Sequence, residues 1–249
     1  MAKAIDWHRL LVDGYEPVRT AQKVFRHLPS DPRCKLCKNP FGGVGGKLFS
    51  VMGRRPSRKN PSLCQYCFDH LPPGGLEVDV GVVFADIRNS TSIGETVTAS
   101  QFAEQLNRFY AISTEVLIRH DGIIDKLIGD EVMGLFLSGL AGSDYRRKTA
   151  QAAIDLAAAT TELSVGVAAN AGVAFVGNVG AGAVLDFTAL GDAVNVGARL
   201  QSYAAPRQVV LSSDLYDVVS PAYPDARRDV VQVKGRAEAV RVAVLEVAD

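Results

Sequence analysis

Beyond Leu71-Pro72-Pro73-Gly74-Gly75 the apolar pattern of this chain switches repeatedly between the period of a strand and that of a helix. That alternation constrains the fold more than any other feature. Val80–Ala85 is a short apolar run of the kind buried in a sheet, and it ends at Asp86. Phe102, Leu106, Phe109, Ile112 and Val116 then recur at helical spacing, with Gly122 predicted as the stop. Ile123–Ile128 and Val132–Leu137 read as strands joined by Gly129-Asp130-Glu131, a turn of hairpin composition. An Ala-rich helix is predicted from Asp144 to Thr160, followed by a strand pair, Leu163–Ala169 and Val173–Asn178, folded about Gly172. The order strand, helix, strand, strand, helix, strand is that of a split βαβ, ferredoxin-like sheet with helices on one face, an α+β fold. A helix at Asp192–Tyr203, a strand at Val209–Leu211, a short helix after Ser213 and strands ending at Val233 and Val247 complete the pattern.

The Pro/Gly cluster also divides the composition. Residues 1–78 carry thirteen Lys and Arg against six Asp and Glu, and the remainder fourteen against twenty-one. Two modules of opposite sign follow, the basic one suited to a regulatory or anionic partner or to the acidic half itself. The predicted organisation is a helical segment at 1–30, a cysteine module at 31–73 and a larger domain at 76–249. In the first segment Ile5, Leu10 and Leu11, then Val24, Phe25 and Leu28, suggest short helices split at Pro17 and used for docking or oligomerisation. With 47% hydrophobic residues the chain is not of the disordered class. No apolar stretch approaches the ~20 residues of a membrane helix and no leader is visible, so a cytoplasmic protein without a transmembrane segment is expected.

Cys34-Lys35-Leu36-Cys37 and Cys64-Gln65-Tyr66-Cys67 hold all four cysteines of the chain. Two CxxC knuckles are the pattern of a closed tetrahedral Zn²⁺ site, a zinc-ribbon-like module whose metal supplies the folding free energy. Iron could use the same four ligands. Between the knuckles lie Lys47, Arg54, Arg55, Arg58 and Lys59, yet within that basic stretch only Phe49 offers a stacking platform, which argues against nucleic acid. His8, His27, His70 and His120 lack ligand spacing and read as surface residues.

Asp86, at a strand end, and Asp130, at a hairpin tip, can face each other across neighbouring strands. Paired carboxylates invite a hard divalent cation, and the helix opening at Asn89-Ser90-Thr91 adds amide donors for phosphates. At this level a mere turn role for both aspartates remains open.

Three segments carry a resemblance: Val83–Thr91, Asp125–Glu131 and Phe187–Leu200 resemble, in order and spacing, the signatures of class III adenylate and guanylate cyclases. Val233-Lys234-Gly235-Arg236 is similar to a fourth. The likeness covers roughly residues 79–247. It implies a catalytic domain in which Asp86 and Asp130, assisted by the Ile87 carbonyl, bind two Mg²⁺ or Mn²⁺. It implies further that Lys126 and Thr188 read the base, that Asn195 orients the ribose, that Arg199 meets charge on the α-phosphate and that Lys234 holds the triphosphate. Lys with Thr suits adenine, so ATP is the expected substrate and cyclic AMP with pyrophosphate the products. GTP, a pyrimidine triphosphate, or a silent binding module are the alternatives. Because the family shares its sites between two chains, a homodimer with two complete sites is implied. Two departures stand out: Asn89-Ser90 where relatives have Gly and an aromatic, and Asn170-Ala171-Gly172 where a His-containing turn is frequent.

Overall fold

The computed structural model describes residues 7–13, 33–57, 60–71, 73–160, 163–181 and 184–247. Ile5, Pro17, Val24, Phe25, His27, Leu28, Arg58 and Lys59 lie outside the described residues, and with them the second N-terminal helix and part of the first. Among the described residues no helix is long and apolar enough to cross a membrane.

A single sheet organises the chain. Its strands are β1 (Gly74–Ile87), β2 (Ile123–Ile128), β3 (Glu131–Leu137), β4 (Val165–Ala181), β5 (Val184–Leu190), β6 (Gln208–Ser212), β7 (Arg227–Val231) and β8 (Val240–Glu246). The order is β2-β3-β1-β4-β6-β8-β7, with β5 paired to the far half of β4. All pairs are antiparallel except β4 with β6. β1 is an interior strand, paired with β4 along its whole length and with β3 from Val80 to Asp86. Its apolar run has no polar alternation because both of its faces are covered.

Val83, Ala85 and Ile87 point to one face. There they meet the helices α4 (Ala99–Arg119) and α6 (Tyr145–Ala159), with Phe109 and Phe136 at the centre. Thr98 starts α4 through a full capping box with Gln101. Its stop differs from the expected Gly122: Asp121 takes the left-handed conformation at φ 67°, while Gly122 lets the Leu117 carbonyl and the Phe136 ring approach too closely for a Cβ. Just before it, His120 pairs with Asp155 of α6 at 2.7 Å and is mostly buried, so it bridges two helices rather than standing on the surface.

Val78, Val80, Val82 and Phe84 point to the other face. Here lie α7 (Asp192–Tyr203) and the cysteine segment, so the helices are not confined to one side. Leu10, Leu11, Leu36, Leu63 and Leu71 share a single apolar cluster with β1, β3 and β5, and Trp7 stacks on Phe187 at 6.1 Å. The cysteine segment therefore packs against the sheet instead of forming a core of its own. It carries two helices of its own, α1 (Gly43–Val51) and α2 (Gln65–Asp69). The remaining short helices are α3 (Ser90–Thr96), α5 (Ser138–Ala141) and α8 (Ser213–Asp217).

The expected turn about Gly172 is absent. β4 runs unbroken for 17 residues, pairing with β1 through Asn170, Ala171 and Gly172. The hairpin comes later, between β4 and β5, and β5 was not anticipated as a strand. Gly172 instead leaves room for the Ala193 side chain of α7, 3.2 Å from where a Cβ would stand.

Candidate active site

Two polar clusters and one thiol cluster emerge from this frame. The first is acidic. Asp86, next to last in β1, lies opposite Glu131, and the two-residue turn between β2 and β3 places Asp130 beside them. Gly129 makes that turn possible at φ 59°. The Ile87 amide donates to the Asp130 carbonyl at 3.2 Å, which ties the turn to the end of β1, and the Ser90 hydroxyl at the start of α3 donates to the Asp130 carboxylate. Asn89 enters α3 in the left-handed region at φ 58°. The sequence thus placed Asp86, Ile87, Asn89, Ser90 and Asp130 in one neighbourhood, and Thr91 sits within α3 next to them.

Electrostatics in this corner favour a cation. Partial burial and then the Asp130 charge push the Asp86 carboxyl above its ordinary range. Glu131 is pushed up by burial and by both aspartates. The only cation in reach among the described residues is Arg88, 3.6 Å from Asp86, and its guanidinium is also engaged with the Gln201 carbonyl of α7. One arginine against three carboxylates leaves net negative charge, and oxygen donors of this kind suit Mg²⁺ or Mn²⁺.

The second cluster joins β2 to β5. The sheet curls until Lys126 of β2 donates to the Thr188 hydroxyl of β5 at 2.7 Å. Two further carboxylates, unmarked by the sequence reading, complete the group. Asp186 pairs with Lys126 at 2.8 Å, and the wholly buried side chain of Asp125 accepts from Thr188 at 2.8 Å and from Lys126 at 3.2 Å. Burial pushes Asp125 up, opposed by its bonds with Thr188 and Lys126. No local signal marks these two, because a carboxylate beside a lysine usually reads as a surface ion pair; only the curl of the sheet reveals them.

On α7, Gly197 lets the helix settle on Val82 and Phe84, whose atoms lie 2.9 Å from where a Cβ would be. Asn195 and Arg199 stay exposed on its outer side. Arg199 donates to the Lys234 carbonyl, so the turn after Val233 is bound to the helix. Among the described residues, no hydrogen bond or ion pair joins Asp86 or Asp130 to Lys126, Thr188, Asn195 or Arg199.

The third cluster gathers the four cysteines. Their sulfurs lie within 4.8 Å of one another, none in a disulfide. Backbone amides of Cys64 and Cys67 donate to the Cys34 and Cys64 sulfurs at 3.2 and 3.4 Å. Hydrogen bonds from the other thiols drive Cys37 down, and the same neighbours, Cys34 foremost, drive Cys67 up. Four thiolates so close cannot coexist without a cation, so the set can hold a metal ion. His70 stacks on Tyr66 outside it.

Comparison with known proteins resolves what this arrangement belongs to. The adenylate and guanylate cyclase catalytic domain matches residues 76–246, well over half of the chain. The chain is a member of that family. Among characterised folds it is similar to the guanylyl cyclase Cya2, at 24% identity and TM-score 0.63 over 71% of this chain and 96% of that one. It is similar also to the adenylyl cyclase CyaB from P. aeruginosa, at 24% identity and TM-score 0.60 over 70% and 96%. An uncharacterized protein of Mycobacterium tuberculosis is 32% identical over 181 residues, 69% of this chain and 34% of its own length. The chain thus spans about a third of the curated relatives it matches. Structural neighbours of both nucleotide classes fit the same cyclase fold. Class III cyclase domains act as dimers on nucleotides with divalent cations.

Proposed function

We propose that this cyclase domain converts ATP to 3′,5′-cyclic AMP and pyrophosphate at sites shared between two copies of the chain. The observation that carries the choice of base is the Lys126–Thr188 contact at 2.7 Å. Adenine presents a ring-nitrogen acceptor beside an amino donor, and an ammonium donor beside a hydroxyl acceptor is its complement. Guanine presents the opposite order.

Asp86 and Asp130, with the Ile87 carbonyl, would hold two Mg²⁺ or Mn²⁺, which when bound lower the pKa of the ribose 3′-hydroxyl and offset triphosphate charge. Asn195 orients the ribose. Arg199, one helical turn along α7, meets the charge that develops on the α-phosphate. Lys234, on the turn that anchors Arg199, takes the triphosphate, and Asn89, Ser90 and Thr91 line its approach. Positioning and charge stabilisation carry the rate, as in other phosphoryl transfers.

A homodimer is supported by the lack, among the described residues, of any hydrogen bond or ion pair that joins Asp86 or Asp130 to Lys126, Thr188, Asn195 or Arg199 within one chain. It is supported too by Leu127, Ile128 and Leu190, apolar yet 44%, 55% and 48% exposed beside Lys126 and Thr188. The thiol cluster is a structural Zn²⁺ site. Asn60 Nδ2 donates to the Ile124 carbonyl at 3.3 Å and Ser62 Oγ to the Gly122 carbonyl at 3.2 Å, so the knuckle grips the start of β2, four residues or fewer from Lys126. A regulatory partner acting on residues 1–78 would reach the base site by that route.

The test is incubation of the purified chain with Mn²⁺ and ATP, GTP, CTP or UTP separately, with products resolved by chromatography and mass. Cyclic AMP from ATP alone is the expected result. Another cyclic nucleotide would overturn the base reading, and no product from any of the four would overturn the enzymatic one.

A further inference from the structure

A hydroxyl has one proton to give and two lone pairs with which to accept. At Thr188 both kinds of capacity are largely spoken for. Its proton goes to Oδ2 of Asp125 at 2.8 Å, and an ionised carboxylate can only accept. One lone pair takes the Lys126 ammonium at 2.7 Å. What remains is a single lone pair, so Thr188 can meet a ligand only as an acceptor. Asp125 is well placed to enforce this: its side chain is 0% exposed, no water competes for it, and Lys126 at 3.2 Å stabilises its charge.

We infer that Asp125 is a positioning residue for nucleotide selection, which fixes the polarity of Thr188 and so favours a 6-amino over a 6-oxo purine. It rests on the adenine reading above and adds the group that enforces it. A 6-oxo base would bring its own carbonyl lone pairs against that of Thr188 and its N1–H against the Lys126 ammonium. Both contacts would be repulsive, and Thr188, which is buried, cannot turn to water instead. Asp186 plays a different part. Its carboxylate is 35% exposed, so the ammonium proton that it holds is the one a base nitrogen can take over.

Removing the buried charge should relax the selection without removing any group that touches the base. In Asp125→Asn the amide can donate to Thr188, whose proton is then able to turn outward toward a carbonyl. The experiment compares kcat/KM for ATP, GTP and ITP in the full chain, in Asp125→Asn, in Thr188→Val and in the double variant, with folding checked by circular dichroism. The parent should reject ITP about as strongly as GTP, since position 6 is read and the 2-amino group is not. Asp125→Asn should lower the ATP-to-ITP ratio by about tenfold or more. In the Thr188→Val background the same change should leave that ratio unaltered.

A parent that prefers ATP to GTP, combined with an Asp125→Asn variant slowed equally on ATP and ITP, would overturn the inference while the adenine reading stood. A parent that prefers GTP would overturn the adenine reading itself. Should Asp125→Asn fail to fold, the parent alone decides: ITP used as well as ATP overturns the proposal.

Discussion

The acidic corner and the cysteine knuckle pose one electrostatic problem, several like-charged groups drawn together, and answer it in different ways. At the acidic corner the strand register does the gathering: β1, β3 and the two-residue turn would hold Asp86, Asp130 and Glu131 close with or without a cation. At the knuckle little regular structure gathers the thiols, only the nine- and five-residue helices α1 and α2 and two isolated bridges. A half-exposed cluster held by the fold keeps coordination positions open for a substrate. A buried cluster of four thiols, which can hold a metal, leaves none open once one is bound. The first arrangement suits chemistry and the second suits architecture.

That contrast can be broken by experiment. Asp86→Ala or Asp130→Ala should lower turnover by at least about a thousandfold while leaving the circular dichroism spectrum and thermal midpoint close to those of the parent. Loss of folding in either variant would mean that the acidic corner is architectural after all. At the knuckle the opposite result is expected. Cys37→Ser or Cys64→Ser, or a strong chelator, should release bound metal and cost several kcal/mol of stability, read by metal analysis and thermal melting. A chain that lost its metal and kept its midpoint would remove the distinction.

A finer effect concerns pH. Asp86 and Glu131 are raised in the folded chain, first by burial and then by their acidic neighbours. For a carboxyl raised on folding, the stability contribution is present below the unfolded pKa and is lost as pH rises through the folded one. The cation-free protein should therefore lose stability as pH climbs through and above the ordinary carboxylate range. Mn²⁺ or Asp86→Asn should flatten the profile; an unchanged slope in both would show that the repulsion is relieved by other means. The smallest effect expected is at the junction of the two regions. Asn60→Ala, which cuts one side-chain bond to the start of β2, should cost about 1 kcal/mol in denaturant unfolding.

Much of this was legible from the sequence, for identifiable reasons. The central strand announced itself by an apolar run without alternation, and α4 by a stripe of helical period. Asp86 and Asp130 of the acidic corner followed from a strand end and a hairpin composition, which are local signals, whereas Glu131 read only as part of the turn. Gly172 misled because glycine marks close packing as readily as a turn, and here it admits Ala193 inside an unbroken strand. His120 misled for a related reason, since its partner Asp155 lies on another helix. Asp125 and Asp186 gave no signal because their importance depends on β5 meeting β2, a contact between strands more than fifty residues apart in sequence. Sequence periods mark the elements, and the non-local curl of the sheet decides which polar groups become a site.

The central claim is that each site is completed by a second copy. The measurement that tests it most directly mixes Asp86→Ala chains with Arg199→Ala chains, each inert alone, and follows cyclic nucleotide formation after heterodimer formation has been verified by native mass spectrometry. Restored turnover is predicted, because the heterodimer holds one site with both halves intact. Verified heterodimers that remain inert would contradict the shared site.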